Sequence, residues 1–230
     1  MTLAAARRHA ADRSGGTSAE PVKRLVLRLL RREQARGSLL DFGAGRGELL
    51  ARLHAGGAFD SLAGVDLSDR PAGLPDAVAW FAQDLNDPIA IDRQFDTVVC
   101  SETIEHLENP RHVFRSLHRL LRPGGLLVLT MPNQECIRSY AGLVAGGHFT
   151  QFLDPCYPAH ITALLRKDLQ RLCAEAGFTP PVFCYTDHGG IPKMPAVSWQ
   201  RASLGLLNGR LFSDNLGLVA RRRPEISPER

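Results

Sequence analysis

Residues 38–50 read SLLDFGAGRGELL, and this stretch decides the fold: an apolar run closes on Asp41, glycines alternate at Gly43, Gly45 and Gly47, and helical spacing resumes at Leu49. That order predicts a buried strand, a tight turn and a helix. Without a Cβ, Gly43, Gly45 and Gly47, with Ala44 between them, let the backbone come close to a ligand. A dinucleotide site spaces its glycines GxGxxG and lays a pyrophosphate on the helix N-terminus. Here the spacing is GxGxG, with Asp41 just before it. A carboxylate in that place repels phosphate and suits an ammonium or sulfonium group. The turn is therefore expected to hold an amino acid nucleoside.

Downstream, SLAGVDL (61–67), VAWFAQDL (78–85) and FDTVVCSE (95–102) are further apolar runs, each closing on polar residues. RHVFRSLHRLLRPGG (111–125) sets Val113, Phe114, Leu117, Leu120 and Leu121 on one helical face, stops at Pro-Gly-Gly and leads into LLVLTMP. The helix LRKDLQRLCAEAGF, the run FTPPVFCYT and the last strand NLGLVARRR continue the alternation. Upstream, PVKRLVLRLLRREQ carries Val22, Leu25, Val26, Leu29 and Leu30 at helical spacing. The alternation predicts an α/β fold, a doubly wound, mostly parallel sheet with helices on both faces. Residues 20–223 are expected to form one domain, interrupted by acceptor-side insertions at about 133–164 and 187–213. Residues 1–19 are expected to be a mobile arm and 224–230 a tail.

A 230-residue chain of 44% hydrophobic content holds one α/β core. No run approaches the roughly 18 apolar residues of a membrane span, and MTLAAARRHAADR lacks the apolar stretch of a secretory signal, so a cytoplasmic protein is expected. The five cysteines are scattered and read as reduced thiols. Much of the net charge of +4 comes from Arg7, Arg8 and Arg13 at one end and Arg221, Arg222 and Arg223 at the other. These are expected to be solvated tails rather than a nucleic-acid surface, since no basic run is interleaved with aromatics.

Asp66, in GVDLS, stands where a carboxylate accepts both hydroxyls of a ribose, and Asp84, in AQDL, where one takes an adenine amino group. With Asp41 they put acids at successive strand ends, along the crevice where α/β sheets bind ligands. LLDFGAGRGELL, GVDLS, AQDL, FDTVVCSETIEHLENP and LRPGGLLVLTMPN together resemble the successive motifs of class I S-adenosylmethionine-dependent methyltransferases, over residues 38–133. The resemblance implies a Rossmann-like seven-stranded sheet. It implies that Asp41, Gly43, Gly45 and Gly47 line the methionine part of S-adenosylmethionine, Asp66 the ribose, Asp84 with Leu85 the adenine, and Ser101 the sulfonium side, with Ala44 and Leu67 also among the cofactor-binding residues.

In SETIEHLENP, a helix would bring Glu102, Glu105 and His106 onto one face, as oxygen and nitrogen ligands for Mg²⁺, Mn²⁺, Fe²⁺ or Zn²⁺. This ExxEH pattern resembles that of ubiquinone-pathway O-methyltransferases and small-RNA terminal 2′-O-methyltransferases, and His160 falls where the latter carry their last metal histidine. The plainer reading is a helix-capping acid and a histidine bonded to its own backbone. Glu102 and His106 are the candidate catalytic pair, with His106 as an acceptor-site base or orienter. The expected activity is O-methylation of a small-molecule, sugar or glycan hydroxyl. The alternatives are metal-dependent RNA 2′-O-methylation and a non-catalytic module that binds S-adenosylmethionine. Phe152 and Tyr157 are candidate walls of an acceptor pocket, His148 and His188 are expected to be exposed, and Trp199 with Leu204, Leu206 and Leu207 is expected to pack.

Overall fold

The computed structural model describes residues 1–192 and 194–224, so most of the expected C-terminal tail lies outside the described residues. In chain order the elements are α1 (Leu3–Ser14), α2 (Glu20–Arg32), β1 (Ser38–Phe42), α3 (Glu48–Gly56), β2 (Ser61–Asp66), β3 (Val78–Ala82) and β4 (Phe95–Ser101). Then come α4 (Pro110–Leu120), β5 (Leu121–Pro132), α5 (Ile137–Gly146), α6 (Arg166–Glu175), β6 (Val182–Tyr185), β7 (Gly190–Ile191), β8 (Met194–Ser198), α7 (Trp199–Ala202) and β9 (Asn215–Arg221).

A seven-stranded sheet runs β3-β2-β1-β4-β5-β9-β6, and β7 and β8 form a separate ribbon. β1 to β5 are parallel, while β9 runs antiparallel to both β5 and β6. Alternate side chains leave the strands on opposite sides. Leu40, Phe42, Val98, Cys100, Leu127 and Leu129 pack with Phe114 and Leu117 of α4 and Leu169 of α6. Leu39, Val99, Leu126 and Val128 pack with Leu25 and Leu29 of α2 and Leu50 of α3. Burial on both faces explains why these strands are apolar runs and not alternating patterns. Each fully buried Leu, Val or Phe stabilises the fold by about 1.5–3 kcal/mol before entropy is counted.

After β1 the chain winds outward through β2 and β3, then returns to place β4 on the other side of β1. That reversal leaves a crevice beyond the carboxyl ends of β1 and β4, where Asp41, the glycine turn and Ser101 sit.

Three expectations are corrected. Residues 1–19 are not a bare arm but carry α1, an alanine-rich helix. Its Thr2 side chain accepts a bond from the Ala5 N–H, and left-handed Gly15 ends it. Its periodic stripe is made of alanines, which a search for large apolar residues passes over. The basic ends are solvated only in part: Arg222 is buried and donates to the carbonyls of His118 and Leu121, and Arg7 is half-buried, while Arg8, Arg13, Arg221 and Arg223 are exposed. Finally, the Trp199 group does not pack together, since Trp199 meets Phe212 edge-on at 5.5 Å while Leu204 and Leu206 are exposed. No helix among the described residues is long and apolar enough to cross a membrane.

Candidate active site

The glycine turn is tied to the neighbouring strand by its own backbone. Gly43 and Ala44 donate their N–H groups to the Val65 carbonyl at 2.8 and 3.1 Å. Gly45 donates to Asp66 Oδ2 at 2.8 Å, while Asp66 Oδ1 accepts from the Ser68 N–H at 2.9 Å. These bonds leave further lone pairs on both Asp66 oxygens facing the groove. The protein itself demands the first two glycines. Gly43 has φ 83°, and a Cβ there would lie 2.3 Å from Thr103 Oγ1; Gly45 has φ 53°, and a Cβ would lie 2.3 Å from the Gly16 carbonyl oxygen. Thr103 and Gly16, neither of them a candidate from sequence, therefore leave no room for a side chain at Gly43 and Gly45.

A cavity of about 920 Å³ opens along this edge, at the upper end of what small-ligand sites enclose. Asp41, Gly43, Ala44, Gly45, Asp66, Leu67, Asp84, Leu85 and Ser101 all line it. Gly47 is absent from that lining; it is left-handed and forms the N-cap of α3. Asp41 is buried, and desolvation with help from Asp66 pushes its carboxyl up to about 7. Such a group favours a cationic neighbour, because only a nearby positive charge restores its ionised form. Asp84 is already engaged: Oδ1 accepts from the Asn86 N–H and side-chain amide, and Oδ2 accepts from Arg7 Nη1 at 3.1 Å. Ser101 and Thr130 hydroxyls bond at 2.9 Å.

The acid and histidine cluster lines the same cavity. The expected helix does not include Glu102, which has left-handed φ 50° immediately after β4; only Ile104–His106 form a 3-10 turn. Such backbone costs about 1–3 kcal/mol and persists where the surroundings hold it. Here the Glu102 N–H donates to the Thr130 carbonyl at 3.0 Å and Asn215 donates to Glu102 Oε2 at 2.6 Å. Among the described residues, Glu102 Oε1 and Glu105 Oε2 are buried without a hydrogen-bond partner. Burial raises both carboxyls, and Glu102 raises that of Glu105 further.

His106 and His160 are each fixed by a backbone carbonyl. His106 Nδ1–H donates to the Ala159 carbonyl at 2.8 Å, and His160 Nδ1–H donates to the Gln151 carbonyl at 2.6 Å. These bonds fix the orientation of both rings. Burial pulls His106 down to about 4 and lowers His160. Both shifts favour the neutral imidazole. One ligand atom each from Glu105, His106 and His160 lie within 4.8 Å of one another, so the four-residue set expected from sequence contracts to three, with Glu102 beside them. Phe152 stacks obliquely on His160 at 5.5 Å, Tyr157 is exposed, His188 is exposed at the cavity rim, and His148 is half-buried.

Residues 12–180 match the methyltransferase-domain family. The ubiquinone biosynthesis O-methyltransferase of Pseudomonas paraeruginosa is 33% identical over 132 residues, 51% of this chain and 53% of that one. The enzyme of the same name from Aromatoleum aromaticum is 28% identical over 149 residues, 60% and 62% of the two chains. This chain thus spans about half the length of the first of these relatives. Among solved structures, the N-methyltransferase NodS of Bradyrhizobium japonicum, in complex with S-adenosylhomocysteine, superposes with TM-score 0.55 at 19% identity, covering 88% of this chain and 86% of that one. The [4+2]-cyclase SpnF superposes with TM-score 0.60 at 18% identity, covering 88% and 81%. At such identities these likenesses concern the fold alone, which hosts more than one chemistry. On the family match, which spans the strand-end acids and the glycine turn, the chain belongs to the class I S-adenosylmethionine-dependent methyltransferases.

Proposed function

We propose that the protein methylates a hydroxyl of a small-molecule, sugar or glycan acceptor, and that Glu105, His106 and His160 hold a divalent cation beside that hydroxyl. S-adenosylmethionine, when bound, supplies a methyl group on sulfonium, a leaving group that is already activated. The protein's own task is alignment, exclusion of water and handling of one acceptor proton. Asp41 would face the cationic end, Asp66 the ribose hydroxyls, Asp84 and Leu85 the adenine, and Ser101 the sulfonium side.

The buried cluster carries this reading. A buried carboxylate and two imidazoles, each held in place at Nδ1 by a backbone carbonyl and with a ligand atom within 4.8 Å of the others, fit a divalent ion. A cation held there would lower the pKa of an acceptor hydroxyl. An imidazole pulled down to about 4 is a weak base, which favours a ligand role for His106. The neighbouring Glu102, raised by its burial, is the better proton acceptor. The names of the ubiquinone-pathway relatives support oxygen as the acceptor atom. RNA is disfavoured, because Arg7, Arg13, Arg221 and Arg222 are engaged by groups within the protein.

The test is methyl transfer to matched hydroxyl and amine acceptors, followed by mass spectrometry, with calorimetry of Mg²⁺ and Mn²⁺ binding. Methylation should appear on the hydroxyl compounds, and chelation or Glu105→Gln should lower turnover about 100-fold or more. Methylated amines and indifference to chelation would overturn both parts. A salt-sensitive shift of RNA by the protein would favour RNA instead.

A further inference from the structure

α1 lines the cavity with one face: Leu3, Ala6, Arg7, Ala10, Ala11 and Ser14 recur at helical spacing. Yet none of its residues is buried in the core. The stripe borders the space that a ligand would fill, and polar contacts hold the helix there. Arg7 donates Nε and Nη2 to the two carboxylate oxygens of Glu108 at 2.8 and 2.7 Å, and Nη1 to Asp84 and Asp87 at 3.1 and 3.0 Å. At the far end, Arg13 donates to the Pro155 carbonyl in the acceptor-side insertion at 2.8 Å. Left-handed Gly15 and Gly16 follow, and the Gly16 carbonyl accepts from the Arg46 N–H of the glycine turn at 2.9 Å.

We propose that Arg7 is a positioning residue for the methyl donor: its fork clamps α1 against the adenine end of the cavity and orients the Asp84 carboxylate, so that the donor leaves only when this ion-pair latch opens. The proposal rests on the reading of Asp84 as part of the adenine subsite. Only a guanidinium has the geometry for the task, a planar fork that bridges three carboxylates, where an ammonium presents a single point of charge. A 12-residue helix without core burial is marginal by itself, so the opening step is governed by the latch. A ligand in the cavity would cover Leu3, Ala6 and Ala10 and add apolar contact to α1. Donor affinity and closure of α1 are then linked reciprocally.

The experiment compares wild type, Arg7→Ala and Arg7→Lys, using S-adenosylhomocysteine as the probe. In the protein without ligand, Arg7→Ala should speed amide exchange of residues 3–14 about tenfold and leave the sheet unchanged, which also shows that the variant is folded. In stopped flow, release of S-adenosylhomocysteine should be about tenfold faster in Arg7→Ala and intermediate in Arg7→Lys. Added salt should hasten release from wild type and not from Arg7→Ala. Wild-type exchange and release in Arg7→Ala, or equal salt response in both proteins, would overturn the proposal. Absence of any binding by wild type would remove the donor reading and this proposal with it. Asp66→Asn separates the two cases, since it should weaken binding while leaving exchange in unliganded α1 as it is.

Discussion

Asp66→Asn is expected to weaken binding of S-adenosylhomocysteine about 100- to 1000-fold while costing the fold only the one turn hydrogen bond that an amide cannot accept, about 1–3 kcal/mol. The carboxylate has two jobs. Its lone pairs accept the Gly45 and Ser68 N–H groups, which fixes the glycine turn against β2, and those that remain face the cavity. Each hydrogen bond between a ligand hydroxyl and a charged acceptor contributes about 1.5–3 kcal/mol. An amide has only one acceptor atom, so the variant cannot keep both backbone bonds and also receive both ribose hydroxyls. Isothermal calorimetry measures the loss directly. Unchanged affinity would take Asp66 out of the site and leave the crevice without its proposed ribose ligand.

Asp41→Asn should make the protein without ligand more stable and at the same time spoil donor binding. Burial holds the Asp41 carboxyl at about 7 in the folded state, against about 3.9 in an unfolded chain. Between those values the native protein binds the extra proton, so stability falls as pH rises from about 4 to about 7. The full effect above that window is up to about 4 kcal/mol. Removing the titrating group should recover much of it at pH 8 and flatten the dependence. A cationic methyl donor favours the ionised carboxylate, so its binding at pH 6 should release a proton, and its affinity should rise with pH and level off above about 7. Calorimetry in two buffers of different ionisation heat reads the proton, and thermal unfolding from pH 5 to 8 reads the stability. An unaltered melting profile in the variant, or binding without proton release, would show that Asp41 is not the counter-charge.

Periodicity made the sheet readable. β1 to β4, the last strand β9 and helices α2 and α6 stand where runs and helical spacing put them, because each buries a long apolar face that leaves a local pattern, whereas Leu121, read as the end of the α4 face, already begins β5. The residues proposed to face the donor fall along one cavity for a related reason: a parallel sheet brings the ends of its successive strands to one edge. Only Gly47, which caps α3, does not line the cavity with the others.

What sequence did not show are contacts between distant residues. Arg7 meets Asp84 and Glu108 across separations of 77 and 101 residues, and Asn215 meets Glu102 across 113. No short-range pattern records such pairs. A charged residue in a polar segment looks the same whether water or a carboxylate receives it, and for that reason α1 and both arginine-rich ends read as solvated.

The amino-acid order by itself determined the alternation of strands and helices, the crevice at the carboxyl edge and the acids that border it, since burial of apolar faces at fixed periods is written locally. Tertiary structure alone decided that Thr103 and Gly16 leave no room for a side chain at Gly43 and Gly45, that Glu102 turns off the strand in left-handed backbone while Glu105, His106 and His160 converge, and that α1 is fastened over the cavity. Steric exclusion, desolvation and ion pairing act between atoms close in space, and the chain brings those atoms together only once it has folded.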